Sequence, residues 1–123
     1  MILGIGTDIV EISRIAKAVS KVAFLRKCYT DAEIAKCNAA DITAAENFAG
    51  YFAAKESVAK ALGTGFRGFL PKDIEISHDK LGKPIANLSD NILKNTGISN
   101  DIKIHISISH GKDYAVAMAV IEG

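Results

Sequence analysis

Apolar and polar residues alternate from Ile2 to Val10, with Leu3, Ile5, Thr7 and Ile9 on one face and Gly4, Gly6 and Asp8 on the other. That period predicts a strand. Two glycines beside a carboxylate leave the second face bare, open to close approach by another backbone, a ligand or a second subunit. The period then lengthens. From Glu11 to about Val22, the residues Ile12, Ile15, Val19 and Val22 recur at helical spacing, with Arg14, Lys17 and Lys21 elsewhere on the same helix. Thr30 with Glu33, and Thr43 with Glu46, each read as a capping box opening a helix. The second of these helices should run to about Leu62 and stop at Gly63.

After Gly63 the pattern changes again. Gly65, Gly68 and Pro71 mark a loop, Ile74 and Ile76 alternate with polar residues as a strand, and residues 79–84 form a turn into a short edge strand, Pro84 to Leu88. Ser89 should cap a helix through about Thr96 that Gly97 ends. Ile102, Ile104, Ile106 and Ile108 then alternate strictly with Lys103, His105, Ser107 and Ser109. Gly111 and Lys112 turn the chain into a last strand, Tyr114 to Ile121. This order predicts an α+β fold: a small single domain over residues 1–123, with a mainly antiparallel sheet packed against one long and several short helices.

Composition narrows the function. The chain of 123 residues is 49% apolar and 24% charged with a formal charge of +1, a globular composition that points to no nucleic-acid or membrane partner. No apolar stretch is long enough to span a bilayer. Asp8 interrupts the first apolar run and no basic segment precedes it, which argues against a secretory signal. The two cysteines, Cys28 and Cys37, form no CxxC and read as reduced thiols, so a cytoplasmic location is expected.

Two motifs fail on context. Gly63-Thr64-Gly65-Phe66-Arg67-Gly68 matches G-x-G-x-x-G, but a dinucleotide fingerprint needs a strand before it and a helix after it, the reverse of the order here. His105 and Ser109 stand four residues apart on an extended strand, too far for direct proton transfer, so a hydrolase reading fails too. Asp8 is harder to set aside, because a carboxylate among apolar strand residues must be paired, hydrated or metal-bound. Glu56 and Lys60 are one helical turn apart. Two carboxylates from different elements with a nearby lysine suit Mg²⁺ and a phosphate substrate, since magnesium takes one or two protein carboxylates and fills its shell with water and phosphate oxygens.

Four segments together resemble one family. Gly6-Thr7-Asp8-Ile9-Val10-Glu11-Ile12-Ser13-Arg14-Ile15 is similar to the N-terminal signature of the holo-acyl-carrier-protein synthases. Residues 52–65, Phe-Ala-Ala-Lys-Glu-Ser-Val-Ala-Lys-Ala-Leu-Gly-Thr-Gly, resemble their second signature. Leu81-Gly82-Lys83-Pro84 and His105-Ile106-Ser107-Ile108-Ser109-His110 with Tyr114-Ala115 follow in the same order. The resemblance implies a 4′-phosphopantetheinyl transferase, which moves phosphopantetheine from coenzyme A to a serine of apo acyl carrier protein and releases adenosine 3′,5′-bisphosphate. A non-catalytic binding module of the same fold is the alternative, disfavoured because Asp8 and Glu56 are both present.

By the resemblance, Asp8 and Glu56 hold Mg²⁺ and Lys60 completes the catalytic set. The general base is Glu56 itself or a metal-bound water. Gly63 and Gly65 would pass close to coenzyme A, and His105 and Ser109 would line its pocket from a neighbouring subunit. One departure is Gly50-Tyr51, where many members carry a basic residue, and Lys55 and Lys83 stand as substitutes for the phosphate-holding residue missing there. The family also implies a homotrimer with sites between subunits, and the Gly4/Gly6 face and a small-residue face of Ala115, Ala117 and Ala119 are candidates for close packing. Between Ser13 and Lys27 stand Arg14, Lys17, Lys21, Arg26 and Lys27 and no acid. The expected helix would carry the first three on one face, a docking stripe for an acidic carrier protein.

Overall fold

Strand β1 (Ile2–Glu11) forms as its alternation predicts, in a computed structural model that describes all 123 residues. It is followed by α1 (Ile12–Val19), α2 (Val22–Cys28), α3 (Asp31–Ala39) and the long α4 (Ala44–Leu62). Then come the hairpin β2 (Ile74–His78) and β3 (Pro84–Leu88), α5 (Asp90–Thr96), and the strands β4 (Lys103–His110) and β5 (Tyr114–Glu122). The main sheet is antiparallel in the order β1-β5-β4. Asp8 lies opposite Ala117, and Ala117 opposite Ile108. The β2–β3 hairpin forms a second antiparallel pair whose β3 lies beside β4 without a shared ladder.

Helix α4 crosses β1 and β5 and organises the core. The glycine face of β1 exists for this helix, because a Cβ on Gly4 would meet the Ala61 carbonyl oxygen and one on Gly6 the Ser57 carbonyl oxygen. Ala115, Ala117 and Ala119 are buried on the same side. Small residues therefore let the helix backbone sit directly on two strands. Of the neighbours that both small-residue faces could have admitted, the long helix of the same chain takes the place. The opposite face carries the large apolar residues into solvent: Ile5 is 66% exposed, Ile9 61% and Met118 52%.

The predicted helix from Glu11 to Val22 is instead two. Ser20 ends α1, its hydroxyl donating to the Lys17 carbonyl at 2.6 Å, and Lys21 is extended as the residue before α2. Val22, expected on the apolar side, is 64% exposed. The Thr30–Glu33 capping box forms. The Thr43–Glu46 box does not: Thr43 makes no side-chain cap and is itself the last residue of a 3₁₀ turn over Asp41–Thr43. Gly63 (φ 81°) stops α4 and Ser89 caps α5, both as predicted.

Candidate active site

The close seating of β1 on α4 brings Asp8 beside the helix one turn past Gly6. Lys60 Nζ donates to Asp8 Oδ1 at 3.1 Å and to the Thr7 carbonyl at 2.9 Å. The other oxygen, Asp8 Oδ2, is buried without any hydrogen-bond partner. An ionised carboxylate oxygen left so is costly unless something positive reaches it. Glu56 stands one turn before Lys60 on the same flank of α4. Its pKa is raised, first by burial and then by the neighbouring Asp8 charge, while Lys60 pulls it back. Two carboxylates that resist sharing negative charge, one with an unused buried oxygen, fit a divalent cation.

These residues open onto a cleft of about 650 Å³, with Arg14 from α1 and the rings of Phe24 and Phe52 among its walls. A second recess of about 290 Å³ shares Glu56, Phe24 and Phe52 and continues between Phe66, Phe69 and Pro71 of the segment after α4. No cluster of three or more His, Cys, Asp or Glu side chains occurs in the fold. A cation at this site would therefore take the rest of its ligands from substrate and water.

The structure gathers Asp8, Glu56, Lys60 and Arg14 but not the whole expected set. Lys55, a candidate substitute for holding a coenzyme A phosphate, is 0% exposed. Its ammonium donates to Glu33 Oε1 at 2.8 Å, the Ile74 carbonyl at 2.6 Å and the Pro71 carbonyl at 3.3 Å. With all three of its protons engaged, it has nothing left for a phosphate. Burial lowers its pKa, and the Glu33 charge works against that shift. His105 and Ser109 project from the sheet face opposite Asp8, since each pairs in register with a residue of that face, Val120 and Val116. His105 Nε2 lies 2.8 Å from Glu122 Oε1. One chain alone therefore does not carry these two residues to the carboxylates.

Lys83 lies in the turn of the β2–β3 hairpin, its amide donating to Asp79 Oδ1 at 2.9 Å. That hairpin borders a smaller cavity of about 190 Å³ with Glu46, Tyr51, His78 and His110, on another flank of α4. Tyr51 is buried, with its hydroxyl 3.4 Å from His78 Nδ1. Gly63 and Gly65 (φ 58°) close the helix just past Lys60, with open space where a Cβ would be. Arg14 and Lys17 are exposed on α1, Lys21 lies at the break, and Arg26 and Lys27 end α2, so the basic stripe is a bent rim rather than one helix face. Cys28 and Cys37 are free and buried, which pushes their thiols up to about 11 and about 12 and leaves them protonated.

Glu33 is the residue whose role the sequence hid. Its capping of Thr30 was legible, but its pairing with Lys55, 22 residues away, has no local signal.

Comparison with known proteins agrees with this architecture over its full length. Residues 4–119 match the model of the 4′-phosphopantetheinyl transferase superfamily. The holo-[acyl-carrier-protein] synthase of Clostridium novyi is 50% identical over 99% of this chain and 88% of that protein. The synthase of Clostridium botulinum strain Eklund 17B is 52% identical over 99% and 98%. The crystal structure of the Neisseria meningitidis synthase superimposes with a TM-score of 0.85 at 38% identity, covering 100% of both chains. That of the Bacillus anthracis synthase, in complex with CoA (3′,5′-ADP), gives 0.84 at 38% identity, covering 100% and 98%. A match of this length and identity, on a fold that independently places Asp8, Glu56 and Lys60 in one cleft, settles the relationship: the chain belongs to the holo-acyl-carrier-protein synthases of the 4′-phosphopantetheinyl transferase superfamily.

Proposed function

We infer that the chain transfers 4′-phosphopantetheine from coenzyme A to a serine of apo acyl carrier protein, releasing adenosine 3′,5′-bisphosphate. The observation that carries this reading is the buried, unpartnered Asp8 Oδ2 beside Glu56 and Lys60 in an open cleft. Asp8 and Glu56 are the residues that would hold Mg²⁺, which when bound offsets the negative charge of the coenzyme A pyrophosphate. Lys60, half exposed and free to lean from Asp8 towards a ligand, meets the charge that grows on the phosphoryl oxygens. The serine oxygen forms a bond to the β-phosphorus as its bond to the adenosine-bearing phosphate breaks. Glu56 lines the same cleft and is the carboxylate of this chain we place within reach of the serine proton, directly or through a water. The phenylalanine-walled recess next to it offers the pantetheine arm an apolar surface.

Arg14 lines the cleft, and with the exposed Lys17, Lys21 and Arg26 it makes up the bent basic rim we assign to an acidic carrier protein. The apolar open face of the sheet supports a homotrimer: Leu3, Ile5, Ile9 and Met118 lie exposed along it, and His105 and Ser109 project from the same face. In such an assembly these two side chains, with Lys83, would reach a neighbour's coenzyme A. No helix is long and apolar enough to cross a membrane, and we assign the enzyme to the cytoplasm.

The deciding experiment is mass spectrometry of apo acyl carrier protein incubated with the enzyme, coenzyme A and Mg²⁺. A mass gain equal to one phosphopantetheinyl group, abolished by a chelator, is expected. An unchanged carrier mass overturns the assignment. Light scattering should give three chains per particle, and a fully active monomer would remove the shared-site arrangement.

A further inference from the structure

The edge of β2 that faces away from β3 has no neighbouring strand, yet its polar groups are not left bare. Ile76 N–H donates to Glu33 Oε2 at 2.8 Å, and the Ile74 carbonyl accepts from Lys55 Nζ at 2.6 Å. Alternate residues of one strand thus find a donor and an acceptor where an adjacent strand would supply them. The same ammonium holds the Pro71 carbonyl, and Glu33 Oε1 also accepts from Thr30 N–H at 2.8 Å. Three bonds of this fully buried pair tie α3 or α4 to residues 71–76, and the bond between Lys55 and Glu33 joins the two helices.

We propose that Lys55 and Glu33 form a positioning clamp: the pair stands in for a missing strand on the edge of β2 and so fixes the segment that walls the recess beside Glu56. Stability alone is a poor reason for such a pair, since apolar side chains of similar size usually serve a core as well. What apolar side chains cannot do is hold Ile74, Pro71 and Ile76 at set positions. Phe66, Phe69 and Pro71 line the recess that opens to Glu56, and Lys55 is the residue before Glu56 on α4. The clamp therefore joins two walls of that recess, the third being α2. This inference rests on the transfer reading above.

The test is the full-length double variant Lys55→Met/Glu33→Gln. It removes both charges together, strips Ile74 and Pro71 of their donor, and leaves one amide oxygen for Thr30 and Ile76 where a carboxylate served both. The expected result is KM for coenzyme A raised about tenfold with kcat within about threefold, the signature of lost ground-state binding. Amide exchange should quicken over residues 71–76 while β4 and β5 keep their protection. A folded variant with parental KM and parental exchange overturns the clamp. Should the variant not fold, exchange in the parent decides. The clamp requires the Ile76 amide to exchange as slowly as that of Ser77, which alternation directs at β3. An Ile76 amide that exchanges far faster refutes it. The exchange arm needs no turnover, so a parent that transfers nothing from coenzyme A would refute the function and not the clamp.

Discussion

Helix α4 carries two lysine–carboxylate pairs five residues apart, on flanks turned well away from each other, and they are opposites in accounting. Lys55 and Glu33 are 0% and 1% exposed, and each polar atom of the pair has a partner in the fold. Lys60 and Asp8 are 52% and 16% exposed, and Asp8 keeps one buried oxygen without a partner. Burial alone would have nominated the first pair as the unusual chemistry of the molecule. Satisfaction reverses that choice. A charge whose hydrogen bonds are all met inside the chain holds structure together, whereas a charge with a site to spare is available to a cation or a phosphate.

The largest effect should come from breaking the buried pair on one side only. Lys55→Met leaves Glu33 charged and buried, which costs about 3–5 kcal/mol, whereas Lys60→Met should cost clearly less because Lys60 is half solvated and Asp8 keeps some access to water. Chemical denaturation of the two variants measures the contrast, and equal losses would erase it. Activity should divide the other way. Asp8→Asn and Glu56→Gln are each expected to keep the fold and lower turnover about a hundredfold or more, since each removes a charge that the proposed phosphoryl-transfer site would use. Either variant working within a few-fold of the parent removes that residue from the site.

The sequence made the first of these pairs half visible and the second almost fully so. Glu33 announced itself as a capping residue through its spacing from Thr30, a local signal. Its bond to Lys55 depends on how α3 docks, which no local spacing encodes. The strands show the same division. Strict alternation of isoleucines located β4, and Gly63 and Gly97 located helix ends by their need for positive φ. Which face of β1 turns inward was not legible. Bulk hydrophobicity favours burying Leu3, Ile5 and Ile9, but the helix backbone needs the glycine side, so close approach overrode side-chain size. The break at Ser20–Lys21 was hidden for a related reason: apolar spacing continues across it, and only Ser20's bond back to Lys17 marks the stop.

A smaller effect should separate the two ends of the cleft. Arg14 lines it beside Asp8, and Lys21 lies at the bend between α1 and α2. Arg14→Glu combined with Lys21→Glu should raise KM for the carrier protein about tenfold, or about 1.4 kcal/mol, with little change in KM for coenzyme A. Added salt should weaken carrier binding in the parent and much less in the variant. Equal losses toward both substrates, or a parent insensitive to salt, would reduce the rim to ordinary solvated charge.

The smallest effect concerns stability rather than rate, and its sign follows from Glu56. Burial and the Asp8 charge raise the pKa of Glu56 in the folded chain. The folded state therefore holds that proton more tightly than the unfolded state does. The resulting stabilisation is fully present below the ordinary glutamate value of about 4.3 and is lost as pH rises through the raised folded value. At neutral pH, above the ordinary glutamate value, the parent has lost stability through that raised affinity and a glutamine has none to lose. In metal-free buffer Glu56→Gln should accordingly show a higher Tm than the parent at pH 7, with the difference vanishing on acidification below that glutamate value. Adding Mg²⁺ should raise the parental Tm and leave the variant nearly unmoved, because only the parent keeps both carboxylates. A parent that is already the more stable protein at pH 7 without metal would mean that Glu56, like Lys55, is satisfied within the fold.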